Sequence, residues 1–92
     1  MPRVVVKNFI SDEGTSDLQV SLSKEVEKTF KRKVEFEYLN VKDNQSQSSK
    51  YKITDLPTII IECNGKERER FVGLTQELFL KKAIKKVLSE CK

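Results

Sequence analysis

The chain has 92 residues, of which 37% are hydrophobic and 35% charged, with only three glycines and two prolines. This composition predicts one soluble, ordered domain over residues 1–92, and it excludes a disordered chain and a protein of two domains. The net charge of +4 comes from the last third, where residues 63–92 carry eight basic and four acidic side chains. We therefore expect any electrostatic partner to bind there.

Several classes of protein are excluded by what the sequence does not contain. No apolar run reaches the roughly 18 residues of a membrane span, and residues 1–10 lack the pattern of a signal peptide. We therefore expect a cytoplasmic protein with no membrane partner. There is no histidine, and the two cysteines, Cys63 and Cys91, are too few for a four-ligand zinc site. Imidazole acid/base chemistry is excluded, and neither a metal nor another cofactor is expected.

The first half of the chain predicts a strand, a helix and a second strand. The β-branched stretch 3–10 is typical of a strand that is buried on both faces, which places it at the centre of a sheet. Apolar residues at every fourth position then predict an amphipathic helix over residues 17–33, with Ser16 and Gln19 as a capping box. The apolar positions are Leu18, Leu22, Val26 and Phe30. Residues 34–38 alternate strictly between apolar or aromatic side chains and glutamate, as an edge strand with one solvated face does.

The second half predicts a strand hairpin followed by a helix. The polar, serine-rich segment 42–49 is either a loop or a short helix, and residues 58–62 form a third strand. Asn64-Gly65 predicts a hairpin, because both central residues of a type I′ turn need positive φ. Residues 66–72 then return as a fourth strand, whose charges protect an exposed sheet edge. A last helix begins at Thr75 or Gln76, and its predicted buried stripe is Leu78, Phe79, Ala83, Ile84, Val87 and Leu88.

This order of elements predicts an α/β domain. The first half is a βαβ unit, whose crossover should be right-handed and whose two strands should be parallel. The second half is an antiparallel ββα unit. Joined in one sheet, the two units make a mixed four-stranded sheet with helices on both faces.

At residues 43–73 the chain resembles the thioredoxin/glutaredoxin family, especially its small single-domain members. The matching residues are Asp43-Asn44, Lys50-Tyr51, Ile53, Leu56-Pro57-Thr58, the three isoleucines 59–61, Asn64-Gly65-Lys66 and Arg70-Phe71-Val72-Gly73. The resemblance implies a thioredoxin-like fold of order β-α-β-(short α or loop)-β-β-α over residues 3–90. It also implies that Pro57 is a cis-proline and that the backbone of Leu56 pairs with an extended peptide. The alternative is that Pro57 only turns the chain into the third strand.

What the resemblance does not supply is the family's reactive dithiol. That site is a Cys-x-x-Cys pair before the first helix, where backbone amides and the helix dipole stabilise a thiolate. Aligned on Phe9, the two positions fall near Gly14 and Asp17, so ordinary dithiol exchange is not expected. The segment either caps the helix or binds a ligand, and its acidic side chains favour a cationic peptide over an anion. The candidate peptide-binding residues are Gly14, Thr15, Ser16, Asp17, Leu56 and Pro57.

Three functions remain compatible with the sequence. The favoured one is a redox-inactive binding or scaffold module with an unknown protein or peptide partner, present as a monomer or weak dimer. The second is a related oxidoreductase or a transferase with an atypical site, which would work through Ser11, Thr15 or Ser16 although no base is visible. The third is weak nucleic-acid binding through a basic face on the last helix. That basic face consists of Lys81, Lys82, Lys85 and Lys86.

The two cysteines form a separate candidate pair. The family topology places the Asn64-Gly65 hairpin and the end of the last helix at one end of the sheet, which would bring Cys63 and Cys91 near each other. A disulfide needs Cα atoms within about 7 Å, and the sequence does not establish that distance. In a reducing cytosol, two free thiols are the expected state.

Overall fold

The structure, a computed structural model, describes residues 2–92 and contains four strands and three helices within them. In chain order these are β1 (Val4–Ile10), α1 (Gly14–Phe30), β2 (Val34–Asn40), α2 (Gln45–Lys50), β3 (Thr58–Cys63), β4 (Lys66–Val72) and α3 (Glu77–Glu90). The predicted order of elements is confirmed, and the polar segment before β3 contains the short helix α2. No helix in this described part of the chain is both long enough and apolar enough to cross a membrane.

The four strands form one mixed sheet in the order β2-β1-β3-β4. Strand β1 runs parallel to β2 and antiparallel to β3, and β3 runs antiparallel to β4. The predicted α/β class and mixed sheet are therefore confirmed. The two central strands are the most apolar, since a strand with neighbours on both sides and helices over its faces exposes few side chains.

The main core lies between one face of the sheet and the helices α1 and α3. Side chains at alternate positions of β1 and β3 contribute to it, as the pleat of a strand requires. Helix α2 covers the opposite face, where Tyr51 at its end packs its ring 5.7 Å from that of Phe9. The core residues are Val4, Val6, Val26, Phe30, Val34, Ile59, Ile61, Cys63, Leu80, Ala83, Ile84, Val87 and Cys91.

The predicted start of α1 and the first half of its buried stripe are wrong, whereas Val26 and Phe30 are buried as predicted. The helix begins three residues earlier, at Gly14, with Glu13 as its N-cap and no side-chain cap hydrogen bond. Ser16 and Gln19 do not form a capping box, because both side chains are buried and bond elsewhere. Leu18 is 50% exposed, so the first half of the helix turns polar residues toward the protein interior.

The predicted stripe of α3 is also wrong at its beginning. Leu78 and Phe79 are 60% and 58% exposed, whereas the neighbouring Leu80 is fully buried. Since three consecutive residues span about 200° around a helix, they cannot all face one core. The buried residues Leu80, Ala83, Ile84 and Val87 follow the spacing of three and four that one helix face requires.

The expectation of two free thiols is wrong as well. Cys63 and Cys91 form a disulfide, with Cα atoms 5.7 Å apart. Cys63 ends β3 and Cys91 follows α3, and the β3–β4 hairpin lies at the same end of the sheet. Asn64 donates its backbone N–H to the Arg3 carbonyl at 2.8 Å, which fixes the hairpin there. The bond therefore ties the end of α3 to the centre of the sheet.

Candidate functional site

The Pro57 loop lies at the end of the sheet where β1 finishes and β3 begins. The Leu56–Pro57 peptide bond is cis. The Pro57 carbonyl accepts a hydrogen bond from the Gly73 N–H at 2.8 Å, and the Thr58 hydroxyl donates to the Asp55 carbonyl at 2.6 Å. Gly73 has a φ of +93°, which glycine adopts readily. The loop is thus held against the connection between β4 and α3.

The loop between β1 and α1 is closed by two serines. The Ser11 N–H donates to the Ser16 hydroxyl at 2.9 Å, and the Glu13 N–H donates to the Ser11 hydroxyl at 3.2 Å. The two hydroxyl oxygens are 3.3 Å apart, and Ser16 is only 1% exposed. The described partners of both hydroxyls are each other and backbone amides, so no general base contacts them. This geometry favours a structural role for the pair over a nucleophilic one.

The same loop is acidic. Asp12 accepts hydrogen bonds from Lys42 Nζ at 3.0 Å and from Asn40 Nδ2 at 2.8 Å. The hydrogen bond from Lys42, followed by that from Asn40, holds the pKa of Asp12 below its usual value. Glu13 and Asp17 are exposed, and neither is in an ion pair among the described residues. The surface around the start of α1 therefore carries uncompensated negative charge.

A buried polar network fixes α1 against the β4–α3 connection. Gln19 accepts from the Thr75 N–H at 2.7 Å and donates to the Thr75 carbonyl at 3.2 Å and to the Ser23 hydroxyl at 3.2 Å. Ser23 in turn donates to Asn8 Oδ1 at 2.7 Å, and Asn8 donates to the Glu37 carbonyl. Since Thr75 is two residues beyond Gly73, the network positions the segment that holds Pro57. The network was not predicted, because the apolar pattern of α1 places Leu18 and Leu22 on the buried face and assigns Gln19 to a helix cap.

An apolar groove, which we call the Phe79 groove, lies along the connection between β4 and α3. Gly73 in this connection bonds the Pro57 carbonyl, so the groove is next to the Pro57 loop. It has a volume of about 340 Å³ and is lined by Arg70, Phe71, Val72, Leu74, Thr75, Gln76 and Phe79. Val72, Leu74 and Phe79 are 61%, 39% and 58% exposed. A contiguous exposed apolar surface can mark a binding site. The groove was not predicted, because the apolar pattern of α3 places Phe79 in the core.

On the opposite face of the sheet, a cluster of charged side chains lies under α2. Lys7 donates to Gln47 at 2.7 Å and is 4.0 Å from Glu62, whose side chain is 4% exposed. The Tyr51 hydroxyl also donates to Glu62. Burial, together with this carboxylate, raises the pKa of Tyr51 to about 12. Tyr51 therefore stays protonated at neutral pH and acts as a structural donor.

The remaining candidate residues lie away from Pro57. In the β1–β3 register Thr58 pairs with Phe9, and Cys63 pairs with Val4, so the disulfide is at the other end of the sheet. The four lysines of the basic face are on α3, where Lys86 bonds Glu69 at 3.3 Å. Within residues 2–92, no group of three or more side chains is arranged to hold a metal ion.

Comparisons with known proteins agree with this fold. The thioredoxin family model matches residues 18–86. Thioredoxins of Rickettsia felis and Rickettsia prowazekii are 30% and 29% identical over 64 residues, which cover 70% of this chain and 61% of each relative. The chain thus spans less than two thirds of the length of these relatives. The structure of thioredoxin-2, a component of the malaria parasite protein secretion machinery, matches with a TM-score of 0.87 at 22% identity. That match covers 92% of this chain and 84% of thioredoxin-2.

Proposed function

Because this chain belongs to the thioredoxin family, we propose that it is a redox-inactive binding module that holds an extended, cationic peptide against the Pro57 loop. One observation carries the proposal. The Pro57 loop is hydrogen-bonded in place beside an exposed apolar groove, while the segment from Gly14 to Asp17 at the start of α1 contains no sulfur.

The backbone of Leu56 is suited to pair with an extended peptide. Leu56 is half-buried and directly precedes Pro57, and neither its N–H nor its carbonyl is engaged in the described loop hydrogen bonds. An extended peptide that pairs with such a backbone gains its affinity from main-chain hydrogen bonds. Its specificity comes from pockets that receive alternate side chains. The Leu56 backbone thus supplies the polar part of the proposed contact.

The neighbouring side chains indicate what sequence the peptide would have. The Phe79 groove is suited to an apolar side chain, since Leu74 and Phe79 are exposed within it. Glu13, Asp17 and Asp55 are exposed and carry no cationic partner among the described contacts. Complementary charge raises the association rate and excludes partners of like charge. A lysine or arginine beside the apolar residue fits this surface best.

Thiol–disulfide exchange is the second candidate, because the relatives are called thioredoxins and the chain has one cysteine pair. Exchange requires an accessible thiolate. Cys63 and Cys91 are 8% and 4% exposed, and Cys91 follows the C-terminal end of α3. The helix dipole is negative there, so it opposes a thiolate. This location gives little support to an exchange reaction at the Cys63–Cys91 bond.

The peptide proposal is tested with a capped synthetic peptide, Lys-Val-Leu-Val-Lys, and with Glu-Val-Leu-Val-Glu as its charge-reversed control. We expect the lysine peptide to shift the amide resonances of residues 14–17, 56 and 74–79. Loss of an apolar contact in the groove should weaken binding about tenfold in Leu74→Ser. Leu78→Ser is the matched control, because Leu78 is exposed but does not line the groove. Equal affinity for the two peptides, or equal weakening by the two variants, would argue against the proposal.

A further inference from the structure

A second, larger cleft lies at the end of the sheet opposite Pro57. It has a volume of about 680 Å³ and opens between the end of α1 and the end of α3. It is lined by Pro2, Phe30, Arg32, Lys33, Lys85, Leu88 and Ser89. This volume is within the range of small-molecule sites in proteins, which is about 300–1,000 Å³. We refer to it as the Phe30 cleft.

The cations of the Phe30 cleft have no carboxylate partners. Arg32, Lys33 and Lys85 are exposed, and none of them is in an ion pair among the described residues. Of the seven residues that line the cleft, none is acidic. Nearby cations are paired instead, since Arg3 bonds Glu35 at 2.8 Å and Lys86 bonds Glu69 at 3.3 Å. The cleft therefore concentrates uncompensated positive charge.

The helix dipole explains only part of this arrangement. Arg32 and Lys33 follow the C-terminal end of α1, where cations are stabilised by the backbone carbonyls. Lys85 lies within a different helix and faces the same cleft, so the dipole of α1 does not account for its position. The dipole also does not explain why apolar side chains line the bottom of the cleft.

The bottom of the cleft consists of apolar side chains. Phe30 belongs to the main core and is 6% exposed. Leu88 is half-buried and packs against the same core. Cationic side chains next to apolar ones are suited to a ligand that has both a negative charge and an apolar part. From this arrangement we infer that the Phe30 cleft binds a small amphipathic anion. Its carboxylate or phosphate head would contact Arg32, Lys33 and Lys85, and its apolar body would lie on Phe30 and Leu88.

The cleft suits this ligand better than a nucleic acid. Single-stranded nucleic acids bind by stacking their bases on exposed aromatic rings. The only aromatic residue that lines the cleft is Phe30, which is almost completely buried. The inference is independent of the proposed peptide site, because the two sites are at opposite ends of β1.

The test uses decanoate, well below the concentration at which it forms micelles, as the probe. Decanol lacks the charge, and acetate lacks the apolar body. We expect decanoate to bind saturably and to shift the amide resonances of residues 30–33 and 85–89, with much weaker effects from the other two. Loss of two charge-assisted contacts in the double variant Arg32→Gln/Lys33→Gln should raise the Kd for decanoate at least about tenfold.

The matched control removes the same charge elsewhere. Lys66→Gln/Lys82→Gln changes two exposed lysines that do not line the cleft, and it should alter the Kd less than about twofold. The inference is overturned if decanoate causes no saturable shift, or if decanol binds as well as decanoate. It is also overturned if both double variants weaken binding equally, because that result indicates a diffuse attraction to the whole basic surface. Displacement of decanoate from residues 30–33 by an oligonucleotide that binds more tightly would assign the cleft to nucleic acid instead.

Discussion

At the scale of single residues, the segment that holds the Pro57 loop is bonded to polar side chains of α1. The amphipathic pattern of the α1 sequence does not predict that these side chains are buried. Gln19 has no exposed surface and bonds both the N–H and the carbonyl of Thr75. Its position three residues after Ser16 also fits a capping box, which is a purely local motif. Only the approach of a segment 56 residues away turns this side chain toward the interior. Residue identity alone therefore favoured the wrong role.

The Gln19→Leu variant tests this role, because it keeps the volume of the side chain and leaves both Thr75 groups unpaired. Each buried group without a partner costs about 1–3 kcal/mol, so we expect the two groups together to lower the free energy of unfolding by about 2–6 kcal/mol. Urea denaturation measures the difference. Gln45→Leu is the control, because Gln45 is exposed on α2 and its change should lie within about 0.5 kcal/mol. Equal stability of the two variants would show that the Thr75 contact is energetically unimportant.

At the scale of secondary structure, the strands were predictable, whereas the buried faces of α1 and α3 were predicted correctly only in the later turns of each helix. The β-branched run of β1 and the Asn64-Gly65 turn are local signals, and the turn has the required φ values of +52° and +84°. Which residues of a helix face the core depends instead on the side of the helix that packs against the sheet. In Leu78-Phe79-Leu80 the sequence offers three equivalent apolar residues, and only packing selects Leu80 for the core.

The phase of α3 is tested by alanine at two positions that are two residues apart. Leu80→Ala removes a fully buried side chain and should lower the free energy of unfolding by about 2–5 kcal/mol. Leu78→Ala removes a side chain that is 60% exposed, and the expected change is within about 0.5 kcal/mol. Thermal or urea denaturation of the pair gives the comparison. A larger loss for Leu78→Ala than for Leu80→Ala would place the helix in the other phase.

At the scale of the whole molecule, the chain has the thioredoxin fold, and its two cysteines, Cys63 and Cys91, lie away from the start of α1. The Pro57 loop and the Phe79 groove are at one end of the sheet, and the disulfide is at the other. The fold was predictable because residues 43–73 carry consecutive family motifs. The disulfide was not, since it joins the last residue of β3 to the residue after α3, which are 28 residues apart and meet only in the folded domain. The expected compartment also favoured free thiols.

Central to the proposed function is the claim that the Pro57 end of this protein carries out no thiol–disulfide exchange. Insulin reduction in the presence of dithiothreitol tests the claim most directly. The double variant Gly14→Cys/Asp17→Cys is the positive control, because it restores a sulfur pair at the start of α1, and a side chain at Gly14 would meet no atom within 4 Å. We predict that the double variant accelerates insulin precipitation and that the natural chain leaves the rate at the dithiothreitol background. Acceleration by the natural chain that is lost in Cys63→Ser/Cys91→Ser would contradict the claim and place redox activity at the disulfide.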